Sequence, residues 1–592
     1  MYYTLRESIM RKLFILAVAV LNVASAYCAD VTLSIEKEVR KKDSLVTKEK
    51  VTAEKIETSS SAQALELISH MPGVLIQKTG DAGRTDPVIR GIGDSCRRIA
   101  ILIDGKPERM SLFGCGVSHS MLAANIERIE VVKGPDSVLY GSGALGGAVN
   151  IITKQPSKPF EGSIDVSAGS FNTQNSGLYI AGTGNNITYA VSANKYISDG
   201  HLANAQYNAS DYYEKLGYSF KDGSILSVEA KQYFGLKHEP APYAAGYWED
   251  YQRGSVQLNY DKSLSASDIS IKVYNNYGDH QFSDGWHSKD TLSGITANYN
   301  MDISEKNYLQ TGAEFKQQEG RLLDGAPYMV HDGWKLSDWS VFALDKHAVT
   351  EKLSAVAGAR FNRDEISGNF FAPRGGLEYA LSEICSVKAL YSKGFRAPYL
   401  NELYLVPARN KDLKAEEVNN YEIGFSAKSY DFNFDITGFI MKGSNIIENK
   451  GGKLQNTGEY EFKGCELGAD YAFSKYLNGG LSYTYFDAGK NTQGRPVNKI
   501  DADFTVKLDK FSLNTNTMFL GEYYAADSKQ NRLDDFAVVN ARLNYDVNDT
   551  VRLFVEGQNI TNQKYYMFLD RDGGRIMEMP CATFTVGTKV KF

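Results

Sequence analysis

The sequence lacks an apolar run long enough to cross a membrane as a helix. Such a helix needs about 20 apolar residues, and the only strong apolar run, Leu13–Leu21, is shorter and lies near the N-terminus. Proline is scarce, with 14 residues in 592, and no Pro/Ser-rich linker or low-complexity block divides residues 160–592. These absences exclude a helical membrane bundle and argue against a series of separate domains.

Basic charge and catalytic motifs are also lacking. The 65 lysine and arginine residues are outnumbered by 71 carboxylates, and the formal net charge is −6. A nucleic-acid-binding protein is not expected from this balance. No nucleophile–base pair, phosphate-binding loop or zinc motif occurs in a fitting context. We therefore expect neither an enzyme nor a bound catalytic cofactor.

The N-terminus has the organisation of a secretory signal. Arg6, Arg11 and Lys12 precede the apolar run, and the small residues Ala24–Ala26 follow it. A charged start, a short apolar core and a small-residue cleavage site are typical of a signal peptide. We predict a signal over residues 1–26, extending to residue 29 in the alternative cleavage, and hence an exported protein.

From residue 160 onward, apolar and polar residues alternate within segments that turn residues separate. In the last segment Phe584 and Val586 lie on one face of a strand, while Thr583 and Thr585 lie on the other. A period of two indicates β-strands with a different environment on each face. Glycine and tyrosine are abundant, at 53 and 37 residues, which suits a large β structure.

The connections between these segments alternate in length. Short turns such as Lys221–Ser224 alternate with long loops such as Phe234–Gln252 and Gly278–Asp290. Transmembrane barrels have short turns on one side, longer loops on the other and an even number of strands. The pattern predicts an all-β transmembrane barrel of about 22 antiparallel strands over residues 160–592. A barrel this wide has a lumen that needs a plug.

Residues 45–155 differ from the rest, with short strands and a helix-like segment at Ala62–Ser69. Several sequence motifs occur here and in the barrel region. They are Asp86–Gly91 (DPVIRG), Ile99–Gly105 (IAILIDG), Ile126–Gly134 (IERIEVVKG), Gly146–Ile152 (GGAVNII), Tyr391–Pro398 (YSKGFRAP), Leu413–Gly424 (LKAEEVNNYEIG) and Gly557–Tyr565 (GQNITNQKY). In content and order this series resembles the TonB-dependent outer-membrane receptors over nearly the whole mature chain.

That resemblance implies an N-terminal α+β plug domain inside the barrel lumen and active import across the outer membrane of a Gram-negative bacterium. Energy comes from the TonB–ExbB–ExbD complex, which such receptors contact through an extended segment before the plug, the TonB box. We predict this segment at residues 30–36, with TonB contacts from Asp30, Val31, Thr32, Leu33, Ser34 and Ile35. Strand addition holds such a segment by main-chain hydrogen bonds, so its sequence is loosely specified. The receptor is expected to be a monomer in the lipid bilayer, with no nucleic-acid partner.

The family places its substrate between the outward plug loops and the long barrel loops. The predicted plug contacts are Asp81, Arg84, Arg109, Phe113 and His119. The predicted barrel contacts are His238, Tyr247, Trp248, His280, Trp286, His287, His331 and Trp334. Aromatic walls with sparse polar groups fit a flat or catecholate ligand, although aromatic residues also form girdles at membrane surfaces.

One plug loop carries side chains of a kind that binds copper. Met110, Cys115, His119 and Met121 offer thioether, thiol and imidazole groups, but their irregular spacing makes them weak candidates for a metal site. Cys96 and Cys115 form a candidate disulfide, which requires Cα atoms within about 7 Å. The strand order places Cys96 toward the inward end of the plug, which argues against this bridge.

The leading interpretation is import of a ferric siderophore, so the transported ligand contains a metal. Haem, cobalamin, copper and zinc are the alternative cargoes. Haem receptors of this family typically carry a histidine between the FRAP-like motif and the next Asn-Pro-x-Leu-like motif, and this chain has none between Pro398 and Leu413. A passive porin or an adhesin is the alternative from another class, but a porin needs neither a plug nor a TonB box.

Overall fold

The computed structural model describes residues 48–59, 61, 63–80, 83–93, 97–240, 246–324, 333–568 and 576–592. The predicted TonB box, Asp81, Cys96 and His331 therefore lie outside the described residues. The chain forms a small mixed domain, the plug, and a closed barrel that surrounds it. Among the described residues, none of the helices is long and apolar enough to cross a membrane.

The plug consists of short strands and single-turn helices. Its strands are β1 (Lys48–Val51), β2 (Val74–Lys78), β3 (Thr85–Ile89), β4 (Ile99–Ile103), β5 (Lys106–Pro107), β6 (Ile126–Lys133) and β7 (Gly147–Thr153). Its α-helices are α1 (Ala53–Glu57) and α2 (Ser137–Tyr140), and its 3₁₀ helices are Ala64–Ile68, Ser118–Ser120 and Ala123–Asn125. The five-stranded sheet has the order β1-β6-β7-β4-β5, and β2 and β3 form a separate hairpin.

Apolar β-prone runs form the centre of this sheet. The strand β4 reads IAILI, and such a continuous apolar run is typical of a strand that is covered on both faces. It pairs in parallel with β7, where Val149 and Ile151 are buried, and β6 contributes the buried Ile129 and Val131. These residues form one core cluster with the 3₁₀ helix Ala64–Ile68, so the sheet has its own hydrophobic core inside the lumen.

The barrel contains 22 antiparallel strands among the described residues. They are β8 (Glu161–Gly169), β9 (Thr173–Gly184), β10 (Ile187–Ser198), β11 (Tyr207–Ser219), β12 (Ser224–His238), β13 (Trp248–Ser263), β14 (Ser267–Phe282), β15 (His287–Ser304), β16 (Asn307–Asp324), β17 (Gly333–Ala348), β18 (Leu353–Asp364), β19 (Gly368–Ala380), β20 (Cys385–Arg396), β21 (Glu416–Lys428), β22 (Phe432–Lys450), β23 (Lys453–Ser474), β24 (Leu477–Asp487), β25 (Asn498–Leu508), β26 (Phe511–Gly521), β29 (Phe536–Asp546), β30 (Val551–Gln558) and β33 (Thr583–Lys591). Two hairpins lie outside this sheet, β27 (Tyr523–Tyr524) with β28 (Arg532–Leu533), and β31 (Tyr566–Phe568) with β32 (Ile576–Glu578). A π-helix, Asn401–Leu405, follows β20.

The sheet closes because β33 pairs with β8, so that Val590 lies opposite Ile164. Closure satisfies the backbone groups of both edge strands, which lipid could not hydrogen-bond. The predicted 22-stranded barrel with a plug is therefore confirmed.

The two faces of each strand differ as the alternation predicts. On β13, Gln257 and Asn259 face the lumen and are buried, whereas Val256 and Leu258 point outward and are exposed. The outward face is apolar because it meets lipid, and the polar inward face meets the plug.

Some of the predicted long loops are shorter than expected. The strands β14 and β15 extend to Phe282 and from His287, so only residues 283–286 connect them. His280 lies inside β14, opposite Tyr251, and is buried rather than exposed in a loop. The strands continue here because their inner faces pack on the plug, an interaction that strand periodicity alone does not show.

Candidate substrate-binding site

The plug loop of residues 106–120 is held firmly against β13, β14 and β15. The Ser111 amide donates to Asp290 Oδ2 at 2.6 Å, and the Ser111 hydroxyl donates to the Thr291 carbonyl at 2.7 Å. The Asn276 amide donates to the Pro107 carbonyl at 2.7 Å. This loop is therefore a fixed floor beneath the outer barrel loops.

An internal ion pair stabilises the start of this loop. The Lys106 ammonium lies 3.2 Å from Glu108 Oε2, and Arg253 of β13 lies 3.6 Å from the other carboxylate oxygen. Burial raises the pKa of Glu108, but the positive charges of Lys106 and Arg253 outweigh it and bring that pKa to about 2. Burial lowers the pKa of Lys106. The ion pair therefore contributes less to the stability of the folded protein than the pKa shift of Glu108 alone indicates.

Arg109 is the prominent cation of this loop. Its guanidinium lies over the Tyr399 ring at 5.4 Å and makes only long hydrogen bonds, 3.5 Å to the Tyr399 hydroxyl and 3.4 Å to Gln318 Oε1. Within the part of the chain that the structure describes, Arg109 forms no ion pair. Gly114 permits this arrangement, because a Cβ there would lie 2.2 Å from the Tyr399 ring and its φ is 71°. Arg109 is thus a half-buried positive charge available to an anionic ligand group.

Aromatic rings form two pairs at the loop ends of the barrel strands. Phe113 lies 5.6 Å from Trp286, which is itself almost buried. Trp334 stacks on Tyr404 of the π-helix at 6.0 Å, and Lys411 lies over the same tyrosine ring at 5.2 Å. Aromatic faces of this kind accept flat ligand groups. Of the predicted contacts, the structure brings Phe113 and Trp286 together and places Trp334 on a second wall.

His119 lies deeper than a surface contact. It is 3% exposed, its ring lies 4.8 Å from that of Tyr251, and the Tyr207 hydroxyl donates to its carbonyl at 2.7 Å. Neither ring nitrogen has a hydrogen-bond partner among the residues that the structure describes. Burial, together with the nearby charge of Lys237, lowers the pKa of His119 well below 6.5, so the ring is neutral. Because its ring is covered by neighbouring side chains, His119 does not contact a ligand in this conformation.

The remaining predicted contacts have partners within the protein. Arg84 pairs with Asp86 at 2.9 Å, and Trp248 begins β13. The predicted outer-loop residues are tied to one another or to neighbours, namely His238 to Asn204, Tyr247 to Asp284, His280 to Arg253 and His287 to Asp279. Most of these residues therefore lie around the entrance of the site, and the plug loop of residues 106–120 forms its base.

The predicted copper ligands do not form a single cluster. Met110 and Cys115 are joined by a 2.9 Å backbone hydrogen bond and pack beneath the outer loops, whereas Met121 belongs to the core of the plug sheet. Burial raises the pKa of the Cys115 thiol, which disfavours the thiolate that a metal needs. The described residues contain no group of three or more His, Cys, Asp or Glu side chains placed to hold a metal ion. The Cys115 thiol is free, and Cys96 lies outside the described residues, so the predicted bridge gains no support.

Buried ion pairs between plug and barrel are the feature that sequence reasoning missed. Arg90 pairs with Glu422 at 2.7 Å and with Glu466 at 2.9 Å. A second group joins Arg98 to Glu416 at 2.6 Å and Glu416 to Arg396 at 2.6 Å. The sequence does contain one signal for these pairs, namely a charged residue on the lumen-facing side of a barrel strand. A charge buried there needs a partner of opposite sign on the plug.

The comparisons with known proteins agree with this architecture. A family model described as "TonB dependent receptor-like, beta-barrel" matches residues 160–560, and one described as "TonB-dependent Receptor Plug Domain" matches residues 40–148. The chain belongs to the TonB-dependent receptor family. It is an outer-membrane protein that couples to TonB, as the resemblance implied.

Relatives of this receptor are named as transporters and receptors. The "Vitamin B12 transporter BtuB" of Photobacterium profundum is 25% identical over 566 residues, covering 87% of this chain and 88% of that protein. The "Iron-regulated outer membrane virulence protein" of Vibrio cholerae is 25% identical over 516 residues, covering 76% of each. Among solved structures, a ferric enterobactin receptor, PfeA of Pseudomonas aeruginosa, has a TM-score of 0.80 at 18% identity, covering 95% of this chain and 100% of that one. The siderophore receptor PiuA of Acinetobacter baumannii has a TM-score of 0.80 at 15% identity, covering 93% and 97%. The two structural matches show a shared fold only.

Proposed function

We propose that this receptor imports a metal chelate across the outer membrane and that a ferric siderophore is the leading substrate class. The observation that carries the proposal is Arg109, a half-buried cation over the Tyr399 ring that has no ion-pair partner among the described residues. Anionic and aromatic chelating groups complement such a surface. The name of one sequence relative, an iron-regulated outer membrane protein, supports an iron complex.

Import requires energy because the plug fills the lumen and is held there by buried ion pairs. TonB, with ExbB and ExbD, supplies this energy in our proposal, and the receptor docks TonB through residues 30–36. Strand addition by this β-prone segment is the mode of contact. A passive porin is disfavoured by the ion pairs of Arg90 and Arg98, which lock the plug to the barrel wall.

Cobalamin is the second candidate cargo. The support is specific, because vitamin B12 transporters named BtuB match 87% of this chain or more over most of their length. Aromatic walls and hydrogen-bonding groups accept this large chelate as well. An uptake assay with each labelled compound distinguishes cobalamin from a ferric siderophore.

Growth and uptake in a strain that lacks its own receptors test the proposal. We expect radiolabelled ferric siderophores or cyanocobalamin to enter only when TonB is present and residues 31–35 are intact. Arg109→Ala is expected to weaken binding of an anionic siderophore about ten-fold, the loss of one charge-assisted contact. Lys289→Ala is the matched control, since Lys289 is an exposed cation paired with Asp279 on the barrel rim. Uptake that persists without TonB, or a large steady conductance of the purified protein, contradicts active import.

A further inference from the structure

The plug loop of residues 106–120 lies among arginines that differ in how their charges are balanced. Two of them pair with carboxylates, namely Arg84 with Asp86 at 2.9 Å and Arg253 with Asp290 at 3.3 Å. Arg97 and Arg109 form no ion pair with any residue that the structure describes. Guanidinium groups of this kind bind carboxylate, phosphate and other anions through charge-assisted hydrogen bonds. These two arginines are therefore candidates for binding an anionic ligand together.

The charge of Arg97 lies close to this loop. Burial raises the pKa of the Cys115 thiol, and the positive charges of Arg84 and Arg97 oppose that rise. Because a charge shifts a pKa in this way only at short range, the Arg97 guanidinium lies near the loop. Arg97 is half-buried, and its Nε has no hydrogen-bond partner among the described residues. The neighbouring Arg98 pairs instead with Glu416 of the barrel.

Tyr399 of the barrel links the segments that carry these two arginines. Its hydroxyl accepts a hydrogen bond from Arg109 Nη1 at 3.5 Å and donates to the Arg97 carbonyl at 3.1 Å. Its ring lies under the Arg109 guanidinium at 5.4 Å. A Cβ at Gly143 would lie 3.7 Å from both Arg109 Nη1 and the Arg97 carbonyl oxygen, so the two groups approach the same point. The hydroxyl thus holds the two segments side by side.

Tyr399 is itself fixed in place. It is 4% exposed, and its amide donates to Glu402 Oε2 at 2.8 Å. The guanidinium of Arg396 also lies over its ring, at 5.1 Å, but this second cation is neutralised by Glu402 at 2.8 Å and Glu416 at 2.6 Å. Because Tyr399 is covered, it acts on a ligand through Arg109 and not by direct contact. Tyr399 is therefore a positioning residue.

The charge of a chelate decides how well it complements two adjacent cations. The carboxylate of the loop, Glu108, is already paired with Lys106 at 3.2 Å, so the loop does not neutralise the arginines. A ferric tris-catecholate carries a triple negative charge, because three doubly ionised catechols surround one Fe³⁺. A ferric trihydroxamate is neutral, because its three ligand groups are singly ionised, and cyanocobalamin is neutral as well. Coulomb attraction therefore favours the tris-catecholate.

We propose that Arg97 and Arg109, held side by side by Tyr399, form a two-arginine site that selects metal chelates with two or more negative charges. The inference rests on the proposed import function. It adds Arg97 as a ligand contact and Tyr399 as a positioning residue, and it favours a ferric tris-catecholate over a neutral ferric trihydroxamate or cobalamin.

The two ferric complexes form a matched pair of probes for this site. The Kd values of ferric enterobactin, a tris-catecholate, and of a ferric trihydroxamate are measured on the purified receptor. We expect Arg97→Gln and Arg109→Gln each to weaken tris-catecholate binding about ten-fold and to change trihydroxamate binding less than about two-fold. Arg409→Gln is the control, because Arg409 is an exposed outer-loop arginine that also lacks an ion pair among the described residues, and it should behave as the wild type.

Salt provides a second measure of the same site. Raising the ionic strength should weaken tris-catecholate binding to the wild type, because salt screens charge attraction, and the effect should be smaller in Arg97→Gln. An unchanged tris-catecholate Kd in Arg97→Gln, or tighter wild-type binding of the trihydroxamate than of the tris-catecholate, overturns the proposal.

A double-mutant cycle tests the role of Tyr399. Tyr399→Phe keeps the ring and removes the hydroxyl, and we expect about three-fold weaker tris-catecholate binding. In the double variant Arg97→Gln/Arg109→Gln the same change should have no further effect, because Tyr399 acts only through the two arginines. Tyr391→Phe is the control, since Tyr391 lies on β20 and its hydroxyl donates to Asn419. Equal weakening by Tyr399→Phe in both backgrounds overturns its positioning role.

The failure of this inference and that of the proposed function give different results. A wild type that imports cyanocobalamin and neither ferric complex overturns the selection by charge and leaves active import intact. A wild type that binds and imports none of the three compounds contradicts the proposed function instead.

Discussion

The plug meets the barrel through two unlike interfaces. The tight seam, formed with β13 to β21, contains buried and complementary contacts such as Ser111 with Asp290 and Arg98 with Glu416. The open seam, where a cavity lined by His70, Asp503 and Asn540 separates the plug from β25 to β30, contains a partly exposed pair, Lys55 with Asp503. Buried, fully paired charges are costly to separate, whereas exposed pairs contribute little. The plug is therefore held by buried pairs along the tight seam and at Glu466 of β23, and it is held more weakly at the exposed pair in the open seam.

The largest loss of plug stability is expected from removal of Glu416 in the tight seam. Glu416→Ala leaves the buried guanidiniums of Arg98 and Arg396 short of a carboxylate, and we expect a loss of about 3–5 kcal/mol in plug stability. Hydrogen exchange of β4 in the purified receptor measures this loss. Glu417→Ala, one residue along on the opposite strand face, is the control and should cost less than about 1 kcal/mol. Equal exchange in the two variants would show that the seam does not depend on this ion pair.

A smaller loss is expected from the apolar part of the same seam. Leu112 is 1% exposed and packs with Leu400 of the barrel, so Leu112→Ala should destabilise the plug loop by about 3 kcal/mol. Leu67→Ala, at the half-buried margin of the open seam, should cost clearly less. Protease cleavage of the plug in detergent, followed over time, compares the two. If Leu67→Ala speeds cleavage of the plug more than Leu112→Ala does, the seam named open holds the plug more strongly than the seam named tight.

His119 makes the tight seam sensitive to pH. Its folded pKa lies below 6.5, so under acidic conditions the unfolded chain binds more protons than the folded one. The neutral ring contributes fully to the free energy of unfolding above pH 6.5. This contribution is lost as the pH falls toward the folded pKa, by at most about 1.4 kcal/mol per pH unit. Hydrogen exchange of residues 106–120, corrected for intrinsic rates, should show this loss between pH 7.5 and 5.5, a range of about two units. The slope should decrease in His119→Gln and remain unchanged in His287→Gln, and an undiminished slope in His119→Gln would assign it to another group.

The smallest effect is expected at the open seam. Lys55→Ala removes an exposed ion pair with Asp503 and should change plug stability by less than about 1 kcal/mol. Thermal unfolding of the purified receptor, monitored by near-ultraviolet circular dichroism, checks this value. A loss as large as that of Glu416→Ala would mean that the open seam also anchors the plug.

Sequence reasoning succeeded where the signal was local and failed where it was not. The alternation on β13 and β33 reports which residues face lipid, because each strand residue points to one of two environments. Nothing local links Arg98 to Glu416, which lie 318 residues apart, or Arg90 to Glu466, which lie 376 apart. Burial of His119 and His280 also depended on the loop of residues 106–120 packing against the barrel wall.

The sequence by itself determined the barrel, its strand number, its lipid-facing residues and the family to which the chain belongs. These features follow from a period of two, from turn residues and from motifs, all of which are carried by short stretches of chain. Only the tertiary structure decided which charges meet, which histidines are buried and where the cavity runs. Those outcomes depend on how the plug sits against distant strands, and a contact between surfaces far apart in sequence leaves no periodic pattern in either one.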